Sequence, residues 1–281
     1  MNDKMWESPA TQQAIETIRG WKNVTVVEPA EGMLACGVVG KGRMPEIEEL
    51  QEALEYALTP KTMAGKRVLI TAGGTQEQID PVRFISNYST GKMGMALAQS
   101  CARRGADVTL VCGNVSAQFH NPLGKIKRID ALSAQAMYEA CVQAWPQQDI
   151  AILCAAVADF APEAKADNKI KKEALRVQDS VFSLHLKETP DIAKALGEHK
   201  RTDQCLSGFA LETEHEKENA LHKLERKHLD AIVLNSLRDK GAGFSTDTNI
   251  VTILQADGSV TALPLQSKAL ISEEILRVLF S

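Results

Sequence analysis

The chain has 281 residues, of which 44% are hydrophobic and 24% are charged, and its formal net charge at pH 7 is −4. This length allows one large domain or two modest ones, and the apolar content suffices for a sizeable core, which excludes a disordered chain. The acidic balance does not fit a nucleic-acid-binding protein, because such domains carry a basic face. No apolar run approaches the ~20 residues of a membrane span and no signal peptide is visible, so we expect a cytoplasmic protein without a membrane partner.

The cysteines point to a reduced compartment. There are six, none forms a C-x-x-C pair, and four lie inside apolar runs. Buried, reduced thiols are therefore expected. No spacing of cysteine and histidine typical of a metal site is present, so no metal bound directly by the protein is expected.

Residues 1–60 differ from the rest of the chain. Helices are predicted over Met1–Arg19 and Pro45–Leu58, whereas Glu31–Met44 is glycine-rich and has neither a helical nor a strand period. This segment has too few strands to close a core, so we interpret it as part of a larger domain. Thr59–Gly65, which contains a proline and ends in glycine, is a plausible linker.

From Lys66 onward, apolar β-type runs alternate with helical patterns. The run Ile150–Val157 is nearly all apolar, as expected for a strand covered on both faces of a parallel sheet. Two alternating patches, Ala174–Lys187 and Ile250–Leu265, predict hairpins. The order predicts an α/β fold with a doubly wound, mostly parallel Rossmann-like sheet and antiparallel hairpin flaps. The other predicted strands are Val68–Ala72, Val108–Cys112, Cys205–Ala210 and Ala231–Asn235.

Capping residues mark helix ends between these strands. Ser133 can cap a helix that Pro146 stops. Thr189 as N-cap followed by Pro190 at the first helical position predicts another helix start. Two further helices are predicted over Thr213–His228 and Ser267–Leu279.

The most informative pattern follows the first strand of this region. The strand ends in Gly73-Gly74, a polar loop carries Arg83 and Asn87, and the segment Ser89–Lys92 opens a helix. A strand, a glycine turn and a helix N-terminus in this order are typical of phosphate sites, because free backbone N–H groups and the helix dipole favour an anion. The loop is too long and polar for a plain connector, so a second ligand is expected there.

Three common nucleotide motifs do not account for this pattern. The dinucleotide pattern G-x-G-x-x-G is absent. A P-loop would need glycine where Ser86 stands and serine or threonine where Met93 stands. Tyr88 and Lys92 have the Y-x-x-x-K spacing of short-chain reductases, but they follow the first strand and enclose Gly91, so we treat the spacing as a coincidence.

Other residues could complete a site, although each has a structural alternative. Asp159 follows the central strand, where open α/β sheets bind ligands, or it is a loop or capping aspartate. The lysines of segment 169–172 and the pair Lys223 and Lys227 could bind anions, or they lie on a solvated, salt-bridged surface. Phe209 could wall a base or pack in the core. Together these cations suit a nucleoside triphosphate better than a single phosphate.

At this point a family resemblance is clear. In this order the chain contains TAGGTQEQIDPVRFISNYSTGKMG, CAAVADF, KIKK, TPDIA and GFALET. With the Lys223/Lys227 pair these motifs closely resemble phosphopantothenate–cysteine ligase, the second half of the bacterial bifunctional coenzyme A biosynthesis protein, from about Gly65 to the C-terminus. The N-terminal motifs MNDKMW and LACGVVGKGRM resemble the substrate-binding signature and substrate clamp of the other half, a flavin-dependent phosphopantothenoylcysteine decarboxylase.

The resemblance implies two parts. Residues 1–60 would be the C-terminal remnant of the decarboxylase domain, with Asn2 in substrate binding and Cys36 as its proton donor. The flavin-binding part that precedes MNDKMW in that family is not in this sequence, so the decarboxylase half is expected to be truncated and FMN to bind only in the intact longer protein. Residues 61–281 would be the ligase domain.

For the ligase part, the resemblance implies that L-cysteine is joined to 4′-phosphopantothenate with CTP through an acyl-cytidylate. Asn87 and Lys169 would be catalytic, Arg83 and Asn87 would bind the pantothenate substrate, and Mg²⁺ would sit on the triphosphate. The implied CTP contacts are Gly73, Gly74, Ser89, Thr90, Gly91, Lys92, Leu153, Cys154, Ala155, Asp159, Lys169, Pro190, Asp191, Ile192, Ala193, Phe209, Lys223 and Lys227.

The resemblance also implies a homodimer formed through the ligase domain, and a higher oligomer with the intact decarboxylase half. The main rival is an NAD(P)-dependent oxidoreductase on a Rossmann-like fold, supported by the glycine turn and the Tyr88/Lys92 spacing. A third reading is a non-catalytic scaffold that uses residues 1–60 as an oligomerisation arm.

Overall fold

The computed structural model describes residues 1–116, 125–171, 183–236, 243 and 246–280. Its strands, numbered along the chain, are β1 Ala30–Met33, β2 Val39–Arg43, β3 Arg67–Ala72, β4 Gln76–Gln78, β5 Phe84–Ser86, β6 Asp107–Cys112, β7 Ile126–Asp130, β8 Ile150–Leu153, β9 Phe160–Pro162, β10 Leu186–Glu188, β11 Cys205–Glu212, β12 Ala231–Ser236, β13 Thr248–Gln255 and β14 Val260–Ser267.

The helices lie between these strands and at both ends of the chain. They are α1 Asp3–Glu7, α2 Pro9–Arg19, α3 Ile47–Leu58, α4 Lys92–Arg103, α5 Ala134–Ala144, α6 Ile192–Glu198, α7 Glu216–Arg226 and α8 Lys268–Phe280, with a 3₁₀ turn at Trp145–Gln147. Within the described ranges, every helix is too short or too polar to cross a bilayer.

An eight-stranded sheet organises the part of the chain after residue 66. Its order is β14-β13-β12-β11-β8-β3-β6-β7, and the six strands from β12 to β7 are mutually parallel. Read from β7, the parallel part has the doubly wound order in which the chain reverses direction between the first and fourth strands, here β3 and β8. The predicted α/β, doubly wound fold is thus confirmed, and its switch point is where such sheets bind ligands.

Helices cover both faces of this sheet, so its central strands are apolar throughout. Val68, Leu69, Ile70 and Ala72 of β3 are completely buried. One face packs with α4 and α8, and the other packs with α5, α6 and α7. Arg104, the C-cap of α4, and Glu273 on α8 form an ion pair with N···O 2.5 Å, which joins the two helices of the first face.

The N-terminal segment differs from its prediction in two ways. The single helix predicted over Met1–Arg19 is two helices, because Ser8 is extended before Pro9, which disfavours helical backbone at the preceding residue. The stretch Glu31–Met44, predicted to have no strand period, contains the antiparallel hairpin β1–β2. Glycines stand where a strand would show alternating apolar and polar side chains, so the hydrophobic pattern did not predict these two strands.

The predicted hairpins had mixed outcomes. The one at Ile250–Leu265 forms as β13–β14 and extends the main sheet instead of standing apart as a flap. The one at Ala174–Lys187 falls mostly on residues 172–182, which lie outside the described residues. The end of that patch forms β10, which pairs with β9. The pair β4–β5 inside the polar loop and the edge strand β7 were not predicted.

Candidate active site

Two adjoining cavities lie at the carboxyl ends of β3, β8 and β11. The first has a volume of about 360 Å³ and the second of about 430 Å³. Both are lined by Ala155, Val157, Asp159 and Phe209, which we call the shared wall. An elongated ligand could therefore occupy both cavities and contact the shared wall from each of them.

Buried threonine hydroxyls hold the backbone of the shared wall in place. The Oγ1 atom of Thr71 accepts hydrogen bonds from the N–H groups of Cys154 at 3.1 Å and Ala155 at 3.0 Å. The Oγ1 atom of Thr75 accepts one from the N–H of Ala158 at 3.0 Å. Both threonines are at most 2% exposed. Because these hydroxyls lie on and just after β3, they fix the loop after β8 against the neighbouring strand.

The first cavity lies at the N-terminus of α4. Its lining includes Asn87 and the predicted phosphate segment Ser89–Lys92. Gly91 is the N-cap with φ +79° and provides no capping side chain, and the first helical residues Lys92, Met93 and Gly94 line the cavity. Lys92 brings a positive charge and forms an ion pair with Asp247 at 2.6 Å. This geometry suits an anion.

Asn87 connects the polar loop to the shared wall. Its Nδ2 donates a hydrogen bond to the carbonyl oxygen of Ala156 at 3.0 Å. Ser86 next to it donates from Oγ to the carbonyl of Thr75 at 2.7 Å. The predicted catalytic amide is thereby held at the edge of the first cavity, where the end of β8 approaches the helix start.

The second cavity collects the predicted contacts from α6 and α7. Its lining includes Leu153, Lys223, Lys227 and the segment Pro190–Ala193. The N-cap of α6 is Asp191 and not Thr189 as predicted, because the Asp191 carboxylate accepts from the N–H of Lys194 at 3.0 Å.

Lys223 on α7 and Lys227, the C-cap of that helix, make ion pairs with other elements. Lys227 pairs with Asp191 at 2.9 Å, and Lys223 pairs with Glu212 at 2.5 Å. Burial raises the pKa of the Asp191 carboxyl, but the Lys194 N–H and the Lys227 ammonium outweigh burial and hold the pKa below its ordinary value. Both lysines therefore face the cavity with their charge partly balanced, and neither belongs only to a solvated helix surface.

The predicted glycine pair lies close to the predicted phosphate segment, since a Cβ on Gly91 would come within 3.3 Å of the backbone nitrogen of Gly73. A Cβ on Gly73 would lie 2.5 Å from the carbonyl oxygen of Asn114, and its φ is +85°. Gly74 exchanges backbone hydrogen bonds with Asn114 at 3.3 and 2.8 Å. Neither glycine is among the residues that line the cavities, as far as the described residues show. Their lack of a side chain allows the loop after β3 to pass closely against the loop after β6.

Arg83 and Lys169 lie on two loops that meet at Asp80, outside the cavity linings. The guanidinium of Arg83 donates to Asp80 Oδ2 from Nη2 at 2.6 Å and from Nε at 3.0 Å, and Nη2 also donates to the carbonyl of Ile170 at 2.6 Å. The Asp80 carboxylate also accepts from the N–H of Ile170 at 3.1 Å. The side chain of Lys169, the residue before Ile170, is exposed. The structure thus brings these two predicted residues near each other.

Asn2 and Cys36 are also brought together, within the N-terminal segment. Asn2 Nδ2 donates to Cys36 Sγ at 3.4 Å, and Cys36 is exposed. Both line a cavity of about 400 Å³, and among its described lining residues only Asn2 and Arg43 bring polar side chains besides the Cys36 thiol. These residues do not by themselves fit FMN, and we assign no step to a flavin.

Three polar residues of the first cavity were not predicted from the sequence. They are Asn235 at the end of β12, Asn249 on β13 and Lys268 at the start of α8. The only local signal was a lysine at the start of the last predicted helix, which is far more often a surface residue. The order of the strands in the sheet brings these residues to the site, and that order cannot be predicted from the spacing of residues in the sequence.

The residues behind the oxidoreductase alternative separate in the structure. Tyr88 is 87% exposed, whereas Lys92 lines the first cavity and pairs with Asp247. The described lining of the two cavities does not include Tyr88. A reductase tyrosine and lysine would have to share one site, so this geometry gives that alternative no support.

Comparison with known proteins identifies similar sequences over the whole chain. The coenzyme A biosynthesis bifunctional protein CoaBC of Bacillus subtilis (strain 168) is 46% identical over 280 residues, which is 99% of this chain and 67% of the relative. A protein of an unknown prokaryotic organism, named cysteine/cysteine sulfinic acid decarboxylase, is 45% identical over 282 residues, covering 99% of this chain and 76% of the relative.

Structure and family models agree with these relatives. The crystal structure of the C-terminal domain of a coenzyme A biosynthesis bifunctional protein CoaBC matches with a TM-score of 0.63 and 38% identity, over 78% of this chain and 95% of that one. Residues 1–58 match the flavoprotein family, and residues 63–281 match the DNA/pantothenate metabolism flavoprotein C-terminal domain. The chain therefore belongs to the DNA/pantothenate metabolism flavoprotein family, as a CoaBC-like protein with that C-terminal domain and a flavoprotein segment before it.

Proposed function

We propose that this chain catalyses the CTP-dependent ligation of L-cysteine to 4′-phosphopantothenate in coenzyme A biosynthesis. The observation that carries the proposal is the pair of cavities joined at the shared wall, with Asn87 at their edge. One cavity offers a helix N-terminus and lysines for anionic groups, and the other offers apolar walls and two lysines for a nucleotide. The relatives named for coenzyme A biosynthesis support this assignment.

The first chemical step activates the acid. A carboxylate is a poor electrophile, because its charge repels an amine and oxide is a poor leaving group. An oxygen of the substrate carboxylate attacks the α-phosphorus of CTP, the bond from that phosphorus to the bridging oxygen breaks, and pyrophosphate leaves with the electron pair. The product is the acyl-cytidylate.

The second step forms the amide. The neutral amine of cysteine attacks the acyl carbon, the bond from that carbon to the phosphate oxygen breaks, and CMP leaves as the amine proton is lost. Both steps gather or move negative charge, so catalysis depends mostly on positioning and on electrostatic stabilisation.

We assign roles in these steps to five residues. Asn87 donates to the developing oxyanion of the acyl group without adding charge, and Lys169 stabilises the phosphates as pyrophosphate leaves. Arg83 contacts the pantothenate phosphate through its positive charge, since Nε and Nη2 of its guanidinium already bind Asp80 and Ile170. Phe209 of the shared wall packs against the cytosine base. Asp159 contacts CTP where the two cavities meet.

Magnesium is proposed to accompany the nucleotide. Mg²⁺ is commonly held by one or two carboxylates together with substrate phosphates. Asp159 brings a carboxylate to both cavities, so the residues present fit a metal held chiefly by the triphosphate. No cluster of three or more His, Cys, Asp or Glu side chains able to hold a metal alone is found in the described ranges. When bound, the ion would neutralise charge on the phosphates.

We further propose that residues 1–60 are the substrate-clamp remnant of a flavin-dependent decarboxylase domain and that residues 61–281 form the ligase domain. The contact between Asn2 and Cys36 supports the first part. In a longer parent protein, Cys36 would be the proton donor of the decarboxylase half. We also propose that the ligase domain forms a homodimer and that a protein with the intact decarboxylase half forms a higher oligomer.

The proposed function is tested by following CMP formation by the full chain with CTP, 4′-phosphopantothenate and cysteine. CMP and phosphopantothenoylcysteine should accumulate in equal amounts, and omission of either co-substrate should stop turnover. A parallel thermal-shift titration separates the rival, because a ligand that binds the native state raises its melting temperature. Stabilisation by CTP without any by NADPH is expected. Stabilisation by NADPH alone, without CMP formation, would reject the ligase in favour of an oxidoreductase.

A further inference from the structure

Lys268 is a buried lysine in the wall of the first cavity. It is the first residue of α8, is only 7% exposed and lines the cavity together with Lys92, the first residue of α4. Two helices of the same sheet face therefore begin at this cavity, and each carries a lysine at its start. None of the roles assigned above uses Lys268.

The position is electrostatically unfavourable for a cation. Lysine is rarely this buried, and the N-terminus of a helix carries a partial positive charge that repels it. Lys92 adds a like charge nearby, and burial together with Lys92 lowers the pKa of the Lys268 ammonium. A methionine could fill the same space without these costs. Such a placement is typical of functional sites, where an anionic ligand offsets the repulsion.

The contacts of Lys268 orient it within the site. Its Nζ donates to the carbonyl of Gly243 at 3.0 Å, and its backbone N–H donates to the carbonyl of Asp247 at 2.9 Å. The carboxylate of Asp247 pairs with Lys92 at 2.6 Å. One residue thus links the two helix starts and keeps both ammonium groups at the same cavity.

Uncharged amides complete this wall. Asn249 is 2% exposed, and its Nδ2 donates to Asn235 Oδ1 at 3.3 Å. Both asparagines line the first cavity. Amide and ammonium donors side by side match the several acceptor oxygens of a phosphoryl group better than they match a single carbonyl.

We propose that Lys268 and Lys92 bind a phosphoryl group in the first cavity and that Lys268 determines specificity for phosphorylated ligands. The choice of ligand rests on the proposed function, which offers two sources of this chemistry. One is the terminal phosphate of 4′-phosphopantothenate, and the other is the phosphate chain of CTP.

The test uses the full chain with Lys268→Met, the charge-retaining Lys268→Arg and the control Lys127→Met, which changes an exposed lysine on β7. Inorganic pyrophosphate, 4′-phosphopantothenate and CTP are titrated separately by calorimetry. We expect Lys268→Met to weaken binding of phosphate-bearing ligands by roughly ten- to a hundredfold, the range for a hydrogen bond to a charged group. Lys268→Arg should stay within about threefold of the unmodified chain, because its charge is retained, and the control should be unchanged. If Lys268→Met does not fold, Lys268→Gln replaces it.

The arms separate the two sources and the two proposals. A loss confined to 4′-phosphopantothenate assigns the subsite to the acid, and a loss confined to CTP assigns it to the nucleotide. Equal affinities of Lys268→Met and the unmodified chain for all three probes would overturn the inference, as would failure of the unmodified chain to bind any of them. Pyrophosphate binding that depends on Lys268 in a chain without ligase activity would reject the proposed function and leave the subsite standing.

Discussion

At the scale of single residues, the site depends on small buried hydroxyls as much as on its charged groups. The hydroxyl oxygens of Thr71 and Thr75 accept three hydrogen bonds from backbone N–H groups of the loop after β8. That loop contributes Ala155, Val157 and Asp159 to the shared wall, so these hydroxyls hold the backbone on both sides of Val157 and directly before Asp159. They are positioning residues, because the contacts described for them are to the protein backbone.

Replacing Thr75 with valine keeps the shape of the side chain and removes its acceptor. The N–H of Ala158, whose residue is 6% exposed, would then be left without its partner. We expect the free energy of unfolding to fall by about 1–3 kcal/mol, the cost of an unsatisfied buried polar group. Urea denaturation of Thr75→Val against Thr75→Ser measures it. Equal stabilities of the two variants would show that the hydroxyl does not hold the wall.

Several residues predicted for the site lie close together along the sequence and also meet at one cavity in the structure. Asn87 and Ser89–Lys92 lie between β5 and α4, Asp159 lies in the loop after β8, and all line the first cavity. Lys268 and Asn249 come from the last strands and helix, and only the packing of β13 and α8 against the rest brings them there. A local sequence pattern does not show which residues far apart in the chain come together in the fold.

At the scale of elements, Asp80 ties the β4–β5 loop to the loop that carries Lys169. Burial raises the pKa of the Asp80 carboxyl, but hydrogen bonds from the N–H groups of Val82, Ile170 and Arg83 and from the Arg83 guanidinium outweigh burial, so the pKa is held well below its ordinary value. Both loops thus depend on one ionised carboxylate.

Asp80→Asn should therefore loosen both loops. A group with a depressed folded-state pKa stabilises the protein fully above its unfolded pKa, near 3.9 for aspartate, and loses that contribution as the pH falls toward the folded value. The unmodified chain should exceed Asp80→Asn in free energy of unfolding at pH 6, and the difference should shrink as the pH falls below about 4. Urea titrations from pH 6 to pH 2.5 test this. A difference that is constant over the range would show that the charge of Asp80 is not what holds the loops.

Strands with a clear apolar pattern in the sequence were predicted, and strands without one were missed. The buried strands β3, β6, β8, β11 and β12 are apolar runs, and each was predicted close to its observed place. The hairpin β1–β2 and the pair β4–β5 were missed because glycines and polar side chains replace the usual alternation. Tertiary contacts stabilise them, as when Ser86 of β5 donates to the carbonyl of Thr75.

At the scale of the whole molecule, strand order places the site. The reversal between β3 and β8 opens the crevice, and the helices of one face begin at the first cavity while α6 and α7 of the other reach the second. The N-terminal segment rests against this body through α3, where Arg103 of α4 pairs with Glu55 at 2.5 Å. The doubly wound class was predictable from β–α alternation, whereas the position of α3 against α4 was not.

The central claim is that the acid is activated by CTP before cysteine reacts. Pyrophosphate release is measured with CTP and 4′-phosphopantothenate in the absence of cysteine, for the full chain and for Lys169→Gln, with Lys165→Gln on the same loop as the control. We expect a burst of about one pyrophosphate per active site, slowed on the order of 10² to 10³-fold by Lys169→Gln and unchanged by the control. Release that begins only when cysteine is added, or that Lys169→Gln leaves at full rate, would contradict it.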